Sequence, residues 1–153
     1  MRVFELITEQ RIDRPRPEVF AFFAEAENLE RITPPWLRFR IDSRRPIEMR
    51  VGALIDYRLR LRGVPMRWRS EITVWEPPHR FRDVQRKGPY RLWEHEHRFE
   101  EEGGGTRVID HVRYAVPGGT LINRLFIKRD VAAIFRYREK RLAEIFGGGR
   151  AES

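Results

Sequence analysis

The sequence contains no cysteine, which excludes a disulfide framework and a thiolate zinc site. It has no apolar run long enough to cross a bilayer as a helix. The opening residues, Met1-Arg2-Val3-Phe4-Glu5, are too polar for a secretory signal, so a cytoplasmic location is the expectation. A dinucleotide fingerprint and a phosphate-binding loop are both missing, and the glycine pairs and triplets read as turns. Gly-x-Ser-x-Gly does not occur, which argues against a serine hydrolase. Lysine is scarce: of 31 basic residues, only Lys87, Lys128 and Lys140 are not arginine.

What remains is a chain of 153 residues, 41% apolar, enough for one domain with a real core. That domain is expected over residues 1–147, with a frayed tail at 148–153. The net charge is +8, yet the basic residues are interleaved with 23 acids, as on a solvated surface. One local concentration stands out. Arg58, Arg60, Arg62, Arg67 and Arg69 share a hairpin face, with Asp56 and Glu71 near its far end. Such a face suits an interaction module meeting RNA, a ribosome or anionic lipid. Nucleic acid is not the expected partner, because neither stacking aromatics on a basic sheet nor a recognition-helix pattern is present.

Periodicity sets the fold class. Residues 3–12 alternate as a first strand, with Phe4, Leu6 and Ile12 on one face. Pro17 is placed to open a helix carrying Val19, Phe20 and Phe23, which fades near Asn28; Leu29 to Ile32 adds a short turn. Thr33-Pro34-Pro35 ends it. From Trp36 to Pro117 the period is two. Leu37, Phe39 and Ile41 alternate with charged residues, then Ile55, Tyr57, Leu59 and Leu61, then Met66, Trp68, Ser70, Ile72 and Val74. Further strands are expected over 80–87, 90–101 and 106–116, separated by Gly88-Pro89 and Gly103-Gly104-Gly105. The period then changes. Apolar residues from Leu121 to Phe146 recur at helical spacing, predicting one helix of about 40 Å. The class is α+β: a curved antiparallel sheet of six or seven strands wrapped around a long C-terminal helix, leaving a gap for a ligand.

Pro17 to Phe23, Asn28-Leu29 with Ile32-Thr33-Pro34, Phe81 to Gln85, Gly88-Pro89-Tyr90, Trp93 to Phe99, Gly105-Thr106, Asp110 to Tyr114, Pro117 and the terminal helix follow one another in an order that carries a likeness. Together they resemble the START-like superfamily with the helix-grip fold, the polyketide cyclase and Bet v 1-like group, and within it small bacterial proteins of the SRPBCC type. The resemblance spans nearly the whole chain. It implies an internal cavity for a hydrophobic small molecule such as a lipid, quinone, sterol or polyketide, and for some members a cyclisation or dehydration.

The run Trp93 to Phe99 carries the most specific chemistry. Alternation puts Trp93, His95, His97 and Phe99 on the inner face. Closing the hairpin at Gly103 to Gly105 sets His97 opposite Asp110, His95 opposite Val112 and Trp93 opposite Tyr114. It also pairs Glu94 with Arg113 and Glu96 with His111 outside, and the first of these opposes unlike charges. The Gly88-Pro89 turn sets Asp83 opposite His95 and Gln85 opposite Trp93. Four readings follow. The Asp83, His95, His97 and Asp110 cluster is a satisfied buried network; or it anchors a ligand's polar end beside Gln85, with Tyr57, Trp68, Trp93 and Tyr114 against the rest; or His95 or His97 is the general base of a cyclase or dehydratase; or the histidines ligate a metal. Binding without catalysis is the first expectation, with no metal and no cofactor. The chain is expected as a monomer or homodimer, with Trp36 and Trp75 as exposed residues available for a dimer contact.

Overall fold

The computed structural model describes residues 1–147; the tail expected at 148–153 lies outside them. Strand β1 spans Phe4–Ile12, and Pro15 caps helix α1, Arg16–Phe23. A 3-10 segment, Ala26–Ile32, and a 3-10 turn, Pro35–Leu37, lead to β2, Arg40–Ile41. Then come β3 (Leu54–Leu61), β4 (Val64–Glu76), β5 (Arg80–Lys87), β6 (Leu92–Glu102) and β7 (Gly105–Ala115). The C-terminal helical run comprises α2 (Gly119–Ile122), a π-turn (Asn123–Ile127) and α3 (Lys128–Gly147). Every strand pairing is antiparallel, and the order is β1-β7-β6-β5-β4-β3-β2. The antiparallel sheet and long C-terminal helix are those the periodicity predicted, and they form the helix-grip fold that the resemblance implied.

Burial explains why the elements sit as they do. Along β6, Trp93, His95, His97 and Phe99 are buried while Glu94, Glu96 and Arg98 are not. In α3, Val131, Phe135, Arg138, Leu142 and Phe146 form the buried stripe at three- and four-residue steps. Helix α1 delivers Phe20 and Phe23 onto the sheet. Their rings lie 5.1 and 5.2 Å from Phe99, which is 1% exposed. Removing an aromatic ring of that size from water stabilises the fold by about 2–3 kcal/mol. Gly118 turns the chain from β7 into α2 at φ 88°, and a Cβ there would collide with the Ile122 side chain. Only glycine meets both demands. No described helix is long and apolar enough to cross a membrane.

The terminal helix runs from Gly119 to Gly147 as one element, as expected, with a π-turn inside it. Two local expectations are corrected. The alternation at Leu37, Phe39 and Ile41 yields only the two-residue β2, because Pro34 and Pro35 start a 3-10 turn that Arg38 ends in the left-handed region. A register shift between Ile72 and Val74 rotates Trp75 inward, where its ring packs 5.3 Å from Phe20 and 5.5 Å from Phe81. Trp75 is therefore not an exposed contact; Trp36 is 56% exposed, as expected.

Candidate ligand cavity and its buried charge cluster

A cavity of about 170 Å³ lies between the concave face of the sheet and α3. Its walls are mainly apolar: Phe22 and Phe23 of α1, Ile55, Leu59 and Trp68 of β3 and β4, and Ile134 and Phe135 of α3. The partly buried Leu29, Phe39, Met49 and Leu61 complete the wall where it nears the surface. An apolar hole of roughly 150 Å³ accommodates a single benzene ring, so the cavity is of one-ring size.

The hairpins bring the predicted polar groups together. The β6–β7 ladder pairs Trp93 with Tyr114, Glu94 with Arg113, His95 with Val112, Glu96 with His111 and His97 with Asp110, as the glycine turn implied. Asp83 faces His95 across β5–β6, as expected. The side chains, however, bond diagonally. His95 Nε2 lies 2.7 Å from Asp110 Oδ1, and His97 Nε2 lies 2.8 Å from Asp83 Oδ2. Residues displaced by two along neighbouring strands remain within reach of long side chains. The two imidazoles stack at 3.6 Å, and Phe81 stacks on His97 at 4.0 Å.

The sequence reading missed the fifth member, Arg138 of α3, which is 6% exposed. Its Nη2 donates to Asp110 Oδ1 at 3.1 Å and to His97 Nδ1 at 3.3 Å. Nδ1 of His97 is therefore the acceptor, and Nε2–H donates to Asp83; this tautomer follows from the bonding network. The guanidinium also lies over the rings of Phe23, at 5.2 Å, and Phe135, at 5.6 Å. Its Nε is buried with no protein partner. A charge inside the apolar stripe of α3, three residues after Phe135 and four before Leu142, is the signal by which the sequence could have shown it.

These contacts set the protonation states. Burial pushes the His97 imidazole well below its usual range, and the neighbouring His95 and Arg138 push it the same way. Burial pushes the Asp83 carboxyl up, against the pull of His95 and Arg138. Burial alone would also raise Asp110, but Arg138 and the two histidines outweigh it and hold that carboxyl far below the usual carboxylate range. Asp110 is thus a fixed negative charge, and His97 is neutral. Burial raises the Tyr57 phenol, which stays protonated and shares a 2.6 Å hydrogen bond with Ser70 Oγ; Trp68 Nε1 also donates to that oxygen, at 3.0 Å.

Of the nine residues read from the sequence, Tyr57, Trp68, Asp83, Trp93, His95 and His97 line the cavity. Three stand behind it. Asp110 acts through His95 and Arg138. Tyr114 donates its hydroxyl to Asn123 of the π-turn at 2.8 Å. Gln85 is not opposite Trp93, because the β5–β6 ladder ends at Val84 and Glu94. Its amide instead brackets Tyr90, donating to the carbonyl at 2.7 Å and accepting from N–H at 3.1 Å. Nitrogen and oxygen atoms of Asp83, His95 and His97 lie within 4.8 Å of one another, a spacing a metal ion uses. A cation there would sit beside the Arg138 guanidinium, which already supplies positive charge to the cluster.

Residues 12–135 match the family described as polyketide cyclase/dehydrase and lipid transport. No curated protein matches the chain. Among solved structures, protein CV1439 from Chromobacterium violaceum is 12% identical with TM-score 0.74, over 94% of this chain and 97% of that one. TTHA0849 from Thermus thermophilus is 23% identical with TM-score 0.66, over 93% and 99%. The major latex-like protein 151 of Panax ginseng is 16% identical with TM-score 0.58, over 86% and 96%. At these identities the likeness is one of fold.

Proposed function

The chain belongs to the polyketide cyclase/dehydrase and lipid transport family, and from that premise we propose that its cavity holds one small, mostly apolar molecule with a hydrogen-bond acceptor at its polar end. The observation that carries this reading is Arg138, a buried cation that lines a mainly apolar cavity beside Asp83, His95 and His97. A ligand carbonyl, carboxylate or phenolate at that wall would accept a charge-assisted hydrogen bond from the guanidinium. Trp68, Trp93 and Phe135 then cover its apolar body, in the usual division of labour in such pockets.

The test uses two one-ring probes, 4-methylbenzoate and toluene, with tryptophan fluorescence as the signal. The acid is expected to bind at least tenfold more tightly than the hydrocarbon. Arg138→Met is expected to abolish that preference while leaving toluene affinity unchanged. Equal affinities in the parent chain, or no binding of either probe together with no co-purified small molecule in native mass spectrometry, would overturn the reading.

A second reading rests on the 2.7 Å pair between Asp110 and His95. A carboxylate that orients a cavity imidazole is the arrangement of a general base, so a ligand with an acidic C–H next to a carbonyl would be deprotonated there. Proton–deuterium exchange into a bound ketone, lost in His95→Gln with binding retained, separates this from binding alone.

A further inference from the structure

The outer face of the sheet pairs its arginines with carboxylates almost everywhere. Arg69 bonds Asp56, Arg86 bonds Glu71, Arg80 bonds Glu76 and Glu96, and Arg113 bonds Glu94, each at 2.7–2.8 Å. The corner made by β2, β3 and β4 breaks this rule. Arg40 of β2 faces Arg58 of β3, which faces Arg67 of β4, so three guanidinium groups stand in a row across adjacent strands. Like charges directly opposite each other destabilise a sheet. Arg38 and Arg60 join them around one concavity of about 500 Å³, floored by Leu59, Pro65 and Met66. Asp42, 2.9 Å from Arg58, is the only carboxylate in an ion pair with any of the five among the described residues.

The basic stripe is not the one the sequence displayed. Arg62 turns away to Asp130 of α3 at 2.9 Å, and Arg69 is neutralised by Asp56. In their place come Arg38 and Arg40, from the segment before β3. Arg38 does so at φ 48°, ψ 48°, a left-handed conformation that costs a residue with a Cβ. Facing like charges and a strained arginine, at a corner where only Asp42 pairs with the row among the described residues, make this surface a candidate for an external anion.

We propose that the Arg38, Arg40, Arg58, Arg60 and Arg67 concavity is a binding site for a multiply charged phosphate group of the diphosphate type. Guanidinium groups bind phosphate oxygens through paired N–H bonds. Four of the five have no ion-pair partner among the described residues, so the anion needs more than one negative charge, and the tetrahedral oxygens of linked phosphates reach several guanidinium groups at once. The concavity lies on the convex side of the sheet, opposite the ligand cavity, and the proposal is independent of what that cavity holds.

Calorimetric titration with inorganic pyrophosphate at low salt tests it. Saturable one-to-one binding that weakens steeply with salt is expected, together with a rise in melting temperature. The double variant Arg40→Gln/Arg67→Gln is expected to lose at least tenfold in affinity, while its unliganded melting temperature stays equal or rises because the like-charge contact is relieved. A charge-matched control, Arg91→Gln/Arg129→Gln, alters two exposed arginines without ion pairs among the described residues and is expected to bind within twofold of the parent. No saturable binding at millimolar pyrophosphate, or an equal loss in both double variants, would overturn the site. Tight binding of single-stranded RNA that pyrophosphate does not displace would also overturn it. Vesicles of phosphatidylcholine with and without phosphatidic acid identify the source. Pyrophosphate-sensitive capture only by the acidic vesicles points to a lipid headgroup; pyrophosphate binding without capture points to a soluble phosphate compound.

Discussion

The two halves of the sheet handle arginine in opposite ways. In the β5–β6–β7 half, one guanidinium from α3 is buried and shared between Asp110 and His97. In the β2–β3–β4 half, five guanidinium groups stand in solvent around a single paired carboxylate. Burial is the difference. A charge withdrawn from water must find its counter-charge within the fold, whereas water and salt screen an exposed one and leave it free for a ligand. The inner cluster is therefore where substitution disrupts folding, and the outer row is where substitution is tolerated.

The largest effect is expected inside. Arg138→Leu leaves Asp110 as a buried charge without its cation and should lower unfolding free energy by about 3 kcal/mol or more, read from urea denaturation. The pH response comes next. The folded-state value of His97 is depressed, so the unfolded chain binds its proton first. Stability is then full above about pH 6.5 and falls as pH drops, by up to about 1.4 kcal/mol per pH unit. His97→Gln should flatten that slope. Asp110, also depressed, contributes above its unfolded value and is lost only in stronger acid, below about pH 4. Asp83, raised by burial, takes up its proton first in the folded state, so it offsets part of the His97 loss above about pH 4. If His97→Gln leaves the fall between pH 7 and 5 unchanged, His97 is not held neutral. Tyr57→Phe removes one of the two hydrogen bonds at Ser70 Oγ and should cost about 1 kcal/mol. At the outer corner the effect should be smallest: Asp42→Asn should shift stability by less than about 1 kcal/mol, since the pair with Arg58 is exposed. A larger loss there would erase the contrast between the halves.

The legible part of this molecule was what repeats. Alternation marked the inner face of β6, and three consecutive glycines fixed where the last hairpin turns, so the pairing of β6 with β7 followed residue by residue. The illegible part depended on departures from repetition. The shift between Ile72 and Val74 has no marker in the sequence, so Trp75 appeared to point outward. Gln85 was assigned by extending the β5–β6 ladder past Val84 and Glu94, where it ends. Arg138 was passed over because the stripe of α3 was traced through apolar residues only. The diagonal bonding of the histidines depends on how side chains lean, which Cα register does not determine.

Those diagonals have a mechanical consequence. Moving from β5 to β7, the ties Asp83–His97 and His95–Asp110 slope in the same direction, like two parallel guy lines on a frame. Backbone rungs run square to the strands and meet sliding equally from either side. Parallel oblique ties do not: one direction of slip stretches both, and the reverse slackens both. Under load this sheet should act as a ratchet-like brace, stiffer to shear one way along β6 than the other.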